Sequence, residues 1–180
     1  MRIKWFSLIR ITGLLLVLLY HFFQTIFPGG FFGVDVFFTF SGFLITSLLL
    51  EEFGKKSQID LLGFFKRRFY RIVPPVVLMV LVTMPFTLLV RQDYVAGIGG
   101  QIAGVFGFMT NFYEMLTGGS YESQFIPHLF VHNWSLAVEV HYYILWGLAV
   151  WFLSKRSKSS SQLRGMVFLL SAGAFIISFF

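Results

Sequence analysis

The chain has 180 residues, 57% of them hydrophobic and only 12% charged, with a formal net charge of +6 and no cysteine. Apolar runs that reach or approach the ~20 residues of a spanning helix exclude a soluble domain, and the lack of cysteine excludes disulfides, thiolate metal sites and a cysteine acyl carrier. The excess of positive charge does not point to nucleic acid, because the basic residues sit in short loops between apolar runs, the distribution of cytoplasmic loops in a multi-pass membrane protein.

Arg2, Lys4 and Arg10 precede or open the first predicted helix, 6–27, which places the N-terminus on the cytoplasmic side. No cleavable signal peptide is expected, since Pro28-Gly29-Gly30 and more apolar chain follow where a small-residue cleavage site would lie. That Pro-Gly-Gly predicts an outer turn, and a second helix over 34–50 returns to the inside. Segment 51–71 interleaves Lys55, Lys56, Lys66, Arg67, Arg68 and Arg71 with Phe64, Phe65, Phe69 and Tyr70, the mixture of a helix lying in the inner interface. Pro74-Pro75 opens a third predicted span, running to about Val90 and kinked at Pro85.

Segment 95–112 is apolar but broken by glycines at 97, 99, 100, 104 and 107. If it spanned, the clear helix 134–153 would run outward and leave Lys155, Arg156, Lys158 and Arg164 of the loop 154–164 outside, against their charge. A re-entrant or partly embedded 95–112 is the expectation, with its backbone covered by protein or water. The apolar stretch 166–180 is short for a span and reads as a helix interrupted midway. The fold class is thus all-α, a transmembrane bundle of about five to six apolar segments, with one domain over 1–180.

The few ionisable groups inside apolar segments are the site candidates, because such groups are costly in lipid and mark function or helix ends. Arg10 and His21 are nearly three helical turns apart, so they share a face with an axial separation of roughly 16 Å. Arg10 reads as a positive-inside anchor; His21 as a hydrogen-bonding helix contact or a group exchanging protons near neutral pH. Asp35 falls in a first helical turn, where a carboxylate caps or serves a site. Ser41-Gly42 reads as a packing pair. In His132–Tyr143, Ser135 and Glu139 share a face at i, i+4; a buried Glu139 must be protonated, paired or functional. His128 and His132 have helical spacing but no third ligand, so no metal is expected and both are placed in a polar loop. Arg68 and Arg71 either anchor an interfacial helix to anionic lipid or bind phosphate.

Four ordered motifs resemble those of the acyltransferase-3 family of integral membrane acyltransferases: Arg10 and His21 with ten residues between them; G-G-F-F-G-V-D-V-F-F-T-F-S-G-F-L-I-T at 29–46; F-F-K-R-R-F-Y-R-I-V-P-P at 64–75; and H-N-W-S-L-A-V-E at 132–139. Within the family the chain looks like the membrane part of bacterial peptidoglycan O-acetyltransferases. The resemblance implies transfer of an acyl group, usually acetyl from cytoplasmic acetyl-CoA, to a hydroxyl of an extracytoplasmic carbohydrate. It makes His21 the catalytic histidine, Arg10 its motif partner, Arg68 and Arg71 the R-x-x-R pair and Glu139 the acid of the W-S-L motif. The residues then allow a mechanism in which His21 is base or acyl carrier, Glu139 or Asp35 orients the ring, and Arg68, Arg71 and Arg10 hold the donor's phosphates. Val140-His141-Tyr142-Tyr143 replaces the family's E-Q-F-Y after the glutamate. The resemblance also implies about twice as many spans, so the chain reads as an N-terminal half, truncated or completed by a partner. Two competing readings remain: a proton or ion path along His21, Asp35 and Glu139, and an inactive membrane fragment.

Overall fold

The computed structural model describes residues 4–87, 89, 97–117 and 128–179, with the side chains of residues 4–7 and of Arg10 outside the description. Among the described residues the protein is all-α: α1 (Lys4–Phe22), a 3-10 turn (Pro28–Phe32), α2 (Gly33–Lys56), α3 (Leu61–Thr87), α4 (Ile98–Phe106), α5 (Thr110–Thr117), a second 3-10 turn (Val131–Asn133), α6 (Trp134–Arg156) and α7 (Ser160–Ile177). Four helical stretches are long and apolar enough to cross a membrane: Pro28–Lys56, Leu61–Thr87, Val131–Arg156 and Ser160–Ile177; Ile11–Phe22 of α1 is a shorter apolar helix. Their outer faces carry large apolar side chains such as Leu62, Leu78, Leu145 and Leu169, all exposed, as lipid solvation allows. This is a polytopic membrane protein.

Two compact units divide the chain, Met1–Gln58 with Leu153–Phe180, and Ile59–Phe152. In the first, α2 packs on α1 and α7 on α2. The glycines of the 29–33 motif make the α1 contact possible. A Cβ at Gly30 would come within 2.4 Å of the Leu16 carbonyl oxygen, and one at Gly33 within 2.5 Å of the Gly13 carbonyl oxygen. Gly29, by contrast, faces open space. Ile45, Leu49, Leu163 and Val167 form the buried seam of this unit. α2 ends at Ser57, in the left-handed region at φ 56°, and the Ser57 N–H bonds the Phe53 carbonyl at 2.8 Å.

The turn between α6 and α7 is far shorter than the expected loop 154–164. α6 continues to Arg156, and the Ser159 hydroxyl caps α7 by accepting from the Gln162 N–H at 3.2 Å. Serine at this position supplies the acceptor that the first orphan amides need, so the polar Ser160–Gly165 stretch becomes the first turns of a helix. α7 thereby reaches 18 residues and spanning length.

In the second unit, Asp60 caps α3, its Oδ1 accepting from the Gly63 N–H at 2.9 Å. α3 then runs without a break through Pro74, Pro75 and Pro85. The expected interfacial helix and third span are therefore one helix. Each interior proline removes one amide donor and crowds the carbonyl four residues back; here tertiary packing of Val76 and Val80 in the core outweighs that loss. α4 and α5 have only nine and eight residues, too short to span, in agreement with a non-spanning 95–112 in the part that is described. They pack with Phe130 against α3 in a core of Val76, Val80, Val105 and Phe130. α6 lies antiparallel to α3: Gly147 faces Phe64 near the start of α3, while the Asn133 amide contacts the Met79 sulfur further along.

Candidate functional site

His21 sits in the last turn of α1, exposed, with Nδ1 2.8 Å from the Val17 carbonyl oxygen. A carbonyl only accepts, so Nδ1 carries a proton, and in the neutral ring the lone pair is on Nε2. The Tyr20 ring meets His21 edge-on at 5.6 Å. Asp35 is in the first turn of α2 and exposed, but it makes no capping hydrogen bond. The side chain of Arg10 lies outside the described residues. His21 and Asp35 belong to the first unit, and Arg68, Arg71 and Glu139 to the second.

Within the second unit the structure brings Arg68 and Glu139 to one place. Phe65, Arg68, Phe69 and Ile72 line one face of α3 at i, i+3, i+4 and i+7, opposite Tyr143 of α6, around a cavity of about 550 Å³ whose walls also include Phe108. The Arg68 guanidinium lies 5.5 Å from the centre of the Tyr143 ring and 5.7 Å from that of Phe64. The Tyr143 hydroxyl donates to Glu139 Oε1, so the carboxylate, the phenol and the arginine form a relay on two helices. Arg68 Nε is buried with no hydrogen-bond partner. Arg71, one turn on, is exposed. Ser135 does not use its i, i+4 position; its hydroxyl donates to the His132 carbonyl at 3.3 Å. Phe108 holds φ 52°, a left-handed conformation that costs a non-glycine residue about 1–2 kcal/mol, which its packing against the core repays.

A second polar cluster was not expected from the sequence. His128 is in the loop before α6, as expected, yet its side chain is only 11% exposed, and Nδ1 lies 2.6 Å from Oε2 of Glu114, itself 8% exposed. The Tyr113 ring packs beside His128 at 5.6 Å and its hydroxyl donates to the Gly97 carbonyl at 3.3 Å. A Cβ at Gly100 would meet that ring at 2.8 Å, so the glycines of α4 admit Tyr113. Glu114 Oε1, Thr110 Oγ1 and Asn111 Oδ1 are buried with no hydrogen-bond partner. Each such orphan costs about 1–3 kcal/mol. The signal available in the sequence was the polar set at 110, 111 and 114, one helical face in an otherwise apolar stretch. Among the described residues no group of three or more His, Cys, Asp or Glu could hold a metal ion.

An all-α membrane protein with ionisable groups held inside its helical units, one of them an arginine lining an apolar cavity, is the architecture of a membrane-embedded enzyme or transporter. The family model described as an acyltransferase domain matches residues 3–180. The chain belongs to the acyltransferase-3 family. It is 33% identical over 174 residues to the O-acetyltransferase OatA of Staphylococcus aureus strain NCTC 8325, covering 96% of this chain and 29% of that protein. It is 35% identical over 136 residues to a putative O-acetyltransferase, SACOL0978, of Staphylococcus aureus strain COL, covering 76% of this chain and 22% of that protein. The chain thus spans less than a third of the length of these curated relatives. No solved structure matches it.

Proposed function

We propose that the chain is the donor-binding part of a membrane O-acyltransferase that moves an acyl group, acetyl in the simplest case, from acyl-CoA to a hydroxyl of an extracytoplasmic carbohydrate. The observation that carries this reading is Arg68: a half-buried arginine with an orphaned Nε on the wall of an apolar cavity. An anionic molecule with a less polar arm suits such a site, since a guanidinium binds phosphate oxygens in a fork and is less strongly hydrated than an ammonium. Arg68, with Arg71 and Lys66 beside it, would hold the donor's phosphates; when bound, acyl-CoA supplies the activated acyl thioester. Arg10 is a further candidate for the phosphates.

The basic turns support a cytoplasmic N-terminus. Gly54 near the end of α2 lies beside Ser160 at the start of α7, so Lys55 and Lys56 share one side of the first unit with Lys155, Arg156 and Lys158. By the charge rule that side is cytoplasmic. In the second unit, taken by itself, Lys66, Arg67 and Arg71 lie in the first half of α3, which by the same rule is its cytoplasmic end, whereas α4 and α5 pack against its later part at Val76 and Val80, toward the extracytoplasmic end.

His21 is the proposed general base, taking the acceptor's hydroxyl proton on Nε2 while Nδ1 stays on the Val17 carbonyl. Glu139 acts as a positioning residue: it holds the Tyr143 hydroxyl, and the ring in turn supports Arg68. Asp35 is kept as a carboxylate available to the site at the start of α2. Transfer of labelled acetyl from acetyl-CoA to carbohydrate in membranes carrying the protein tests the reading. The His21→Ala variant loses transfer while inserting normally; unchanged transfer in that variant would overturn it.

A further inference from the structure

We propose that Thr110, Asn111 and Glu114 of α5, with His128, form a hydroxyl-binding subsite for a neutral saccharide, the acceptor in the acyl-transfer reading on which this inference rests. Glu114 Oε2 engages His128 Nδ1 at 2.6 Å. That contact commits one oxygen of the carboxyl to the imidazole. The remaining polar atoms are Glu114 Oε1, Asn111 Oδ1 and Thr110 Oγ1, all buried and all without a partner. Two are pure acceptors and the third accepts as readily as it donates. They occupy positions 110, 111 and 114 on one face of α5.

A set of orphaned acceptors is matched by a ligand rich in donors. A sugar presents several hydroxyls at spacings that such a face can meet. A hard cation fits less well: it takes about six or more oxygen ligands, and the described residues offer one carboxylate, with its second oxygen already committed to His128. The placement agrees with the topology argued above, in which α4 and α5 lie toward the extracytoplasmic end of α3, the side on which a surface carbohydrate is found.

Titration of the protein in lipid nanodiscs with chitotetraose, a neutral tetramer of β-1,4-linked N-acetylglucosamine, tests the subsite. Saturable binding is expected, weakened about tenfold or more by Glu114→Gln and by Thr110→Val, as expected when a hydrogen bond to a buried group is lost. Acetyl-CoA binding and helix content should be unchanged in both variants, which separates a lost contact from a lost fold. No binding to the wild type, equal binding to all three proteins, or Glu114-dependent binding of Ca²⁺ alone would overturn the subsite. Tetramer binding that persists while the protein shows no affinity for acetyl-CoA would overturn the acyl-transfer reading and leave the subsite standing.

Discussion

The Arg68 guanidinium stacks over the ring of Tyr143, 5.5 Å from its centre, while the Tyr143 hydroxyl is committed to Glu139. The ring therefore joins an acid and a base that do not need to touch. Removing only the hydroxyl, in Tyr143→Phe, keeps the stacking and deletes one hydrogen bond to the Glu139 carboxylate. A stability loss of about 1 kcal/mol follows from one lost hydrogen bond. Tyr143→Leu also removes the cation–π contact, adding about 0.5–2 kcal/mol. Thermal unfolding in detergent should rank wild type above Tyr143→Phe above Tyr143→Leu.

The three glycines of the 29–33 motif separate by role. Gly30→Ala and Gly33→Ala push a methyl into the α1 backbone, at the Leu16 and Gly13 carbonyls, and should cost about 1–3 kcal/mol each through overpacking. Gly29→Ala meets nothing within 4 Å and should leave stability within about 0.5 kcal/mol of wild type. Protease sensitivity of the α1–α2 turn gives a direct comparison.

Helix starts offer a third test. Ser159→Ala and Asp60→Ala each delete a side-chain acceptor for an amide in the first turn, Gln162 N–H and Gly63 N–H respectively. Each should lower stability by about 1 kcal/mol, with hydrogen exchange accelerating first at the start of α7 or of α3.

How far the sequence spoke depends on the distance over which each signal acts. The membrane class, the helix 134–153 and the first-turn position of Asp35 follow from local hydropathy and spacing, and the structure contains all three. Pro74-Pro75 looked like a helix start because proline's local effect is to break helices, yet Val76 and Val80 are buried in tertiary packing that keeps α3 whole. Ser157–Ser161 looked like loop, although Ser159 was the cap of the next helix. The pairing of Arg68 with Tyr143 joins residues 75 positions apart in the chain, and that of Glu114 with His128 spans 14. Neither follows from helical periodicity, because each depends on which helix packs beside which. Arg68 and Glu139 were legible as chemistry; that they share one tyrosine was not.

The central claim is that Arg68 holds an acyl donor in the cavity between α3 and α6. Binding of acetyl-CoA to the protein in nanodiscs, compared for wild type, Arg68→Lys and Arg71→Lys, measures it most directly. A lysine cannot reproduce the fork or the stacking, so Arg68→Lys should weaken binding about tenfold or more, whereas the exposed Arg71 should give a smaller loss that salt erases. Saturable binding with that ordering is the predicted result. Equal affinity in all three proteins, or no saturable binding to the wild type, would contradict it.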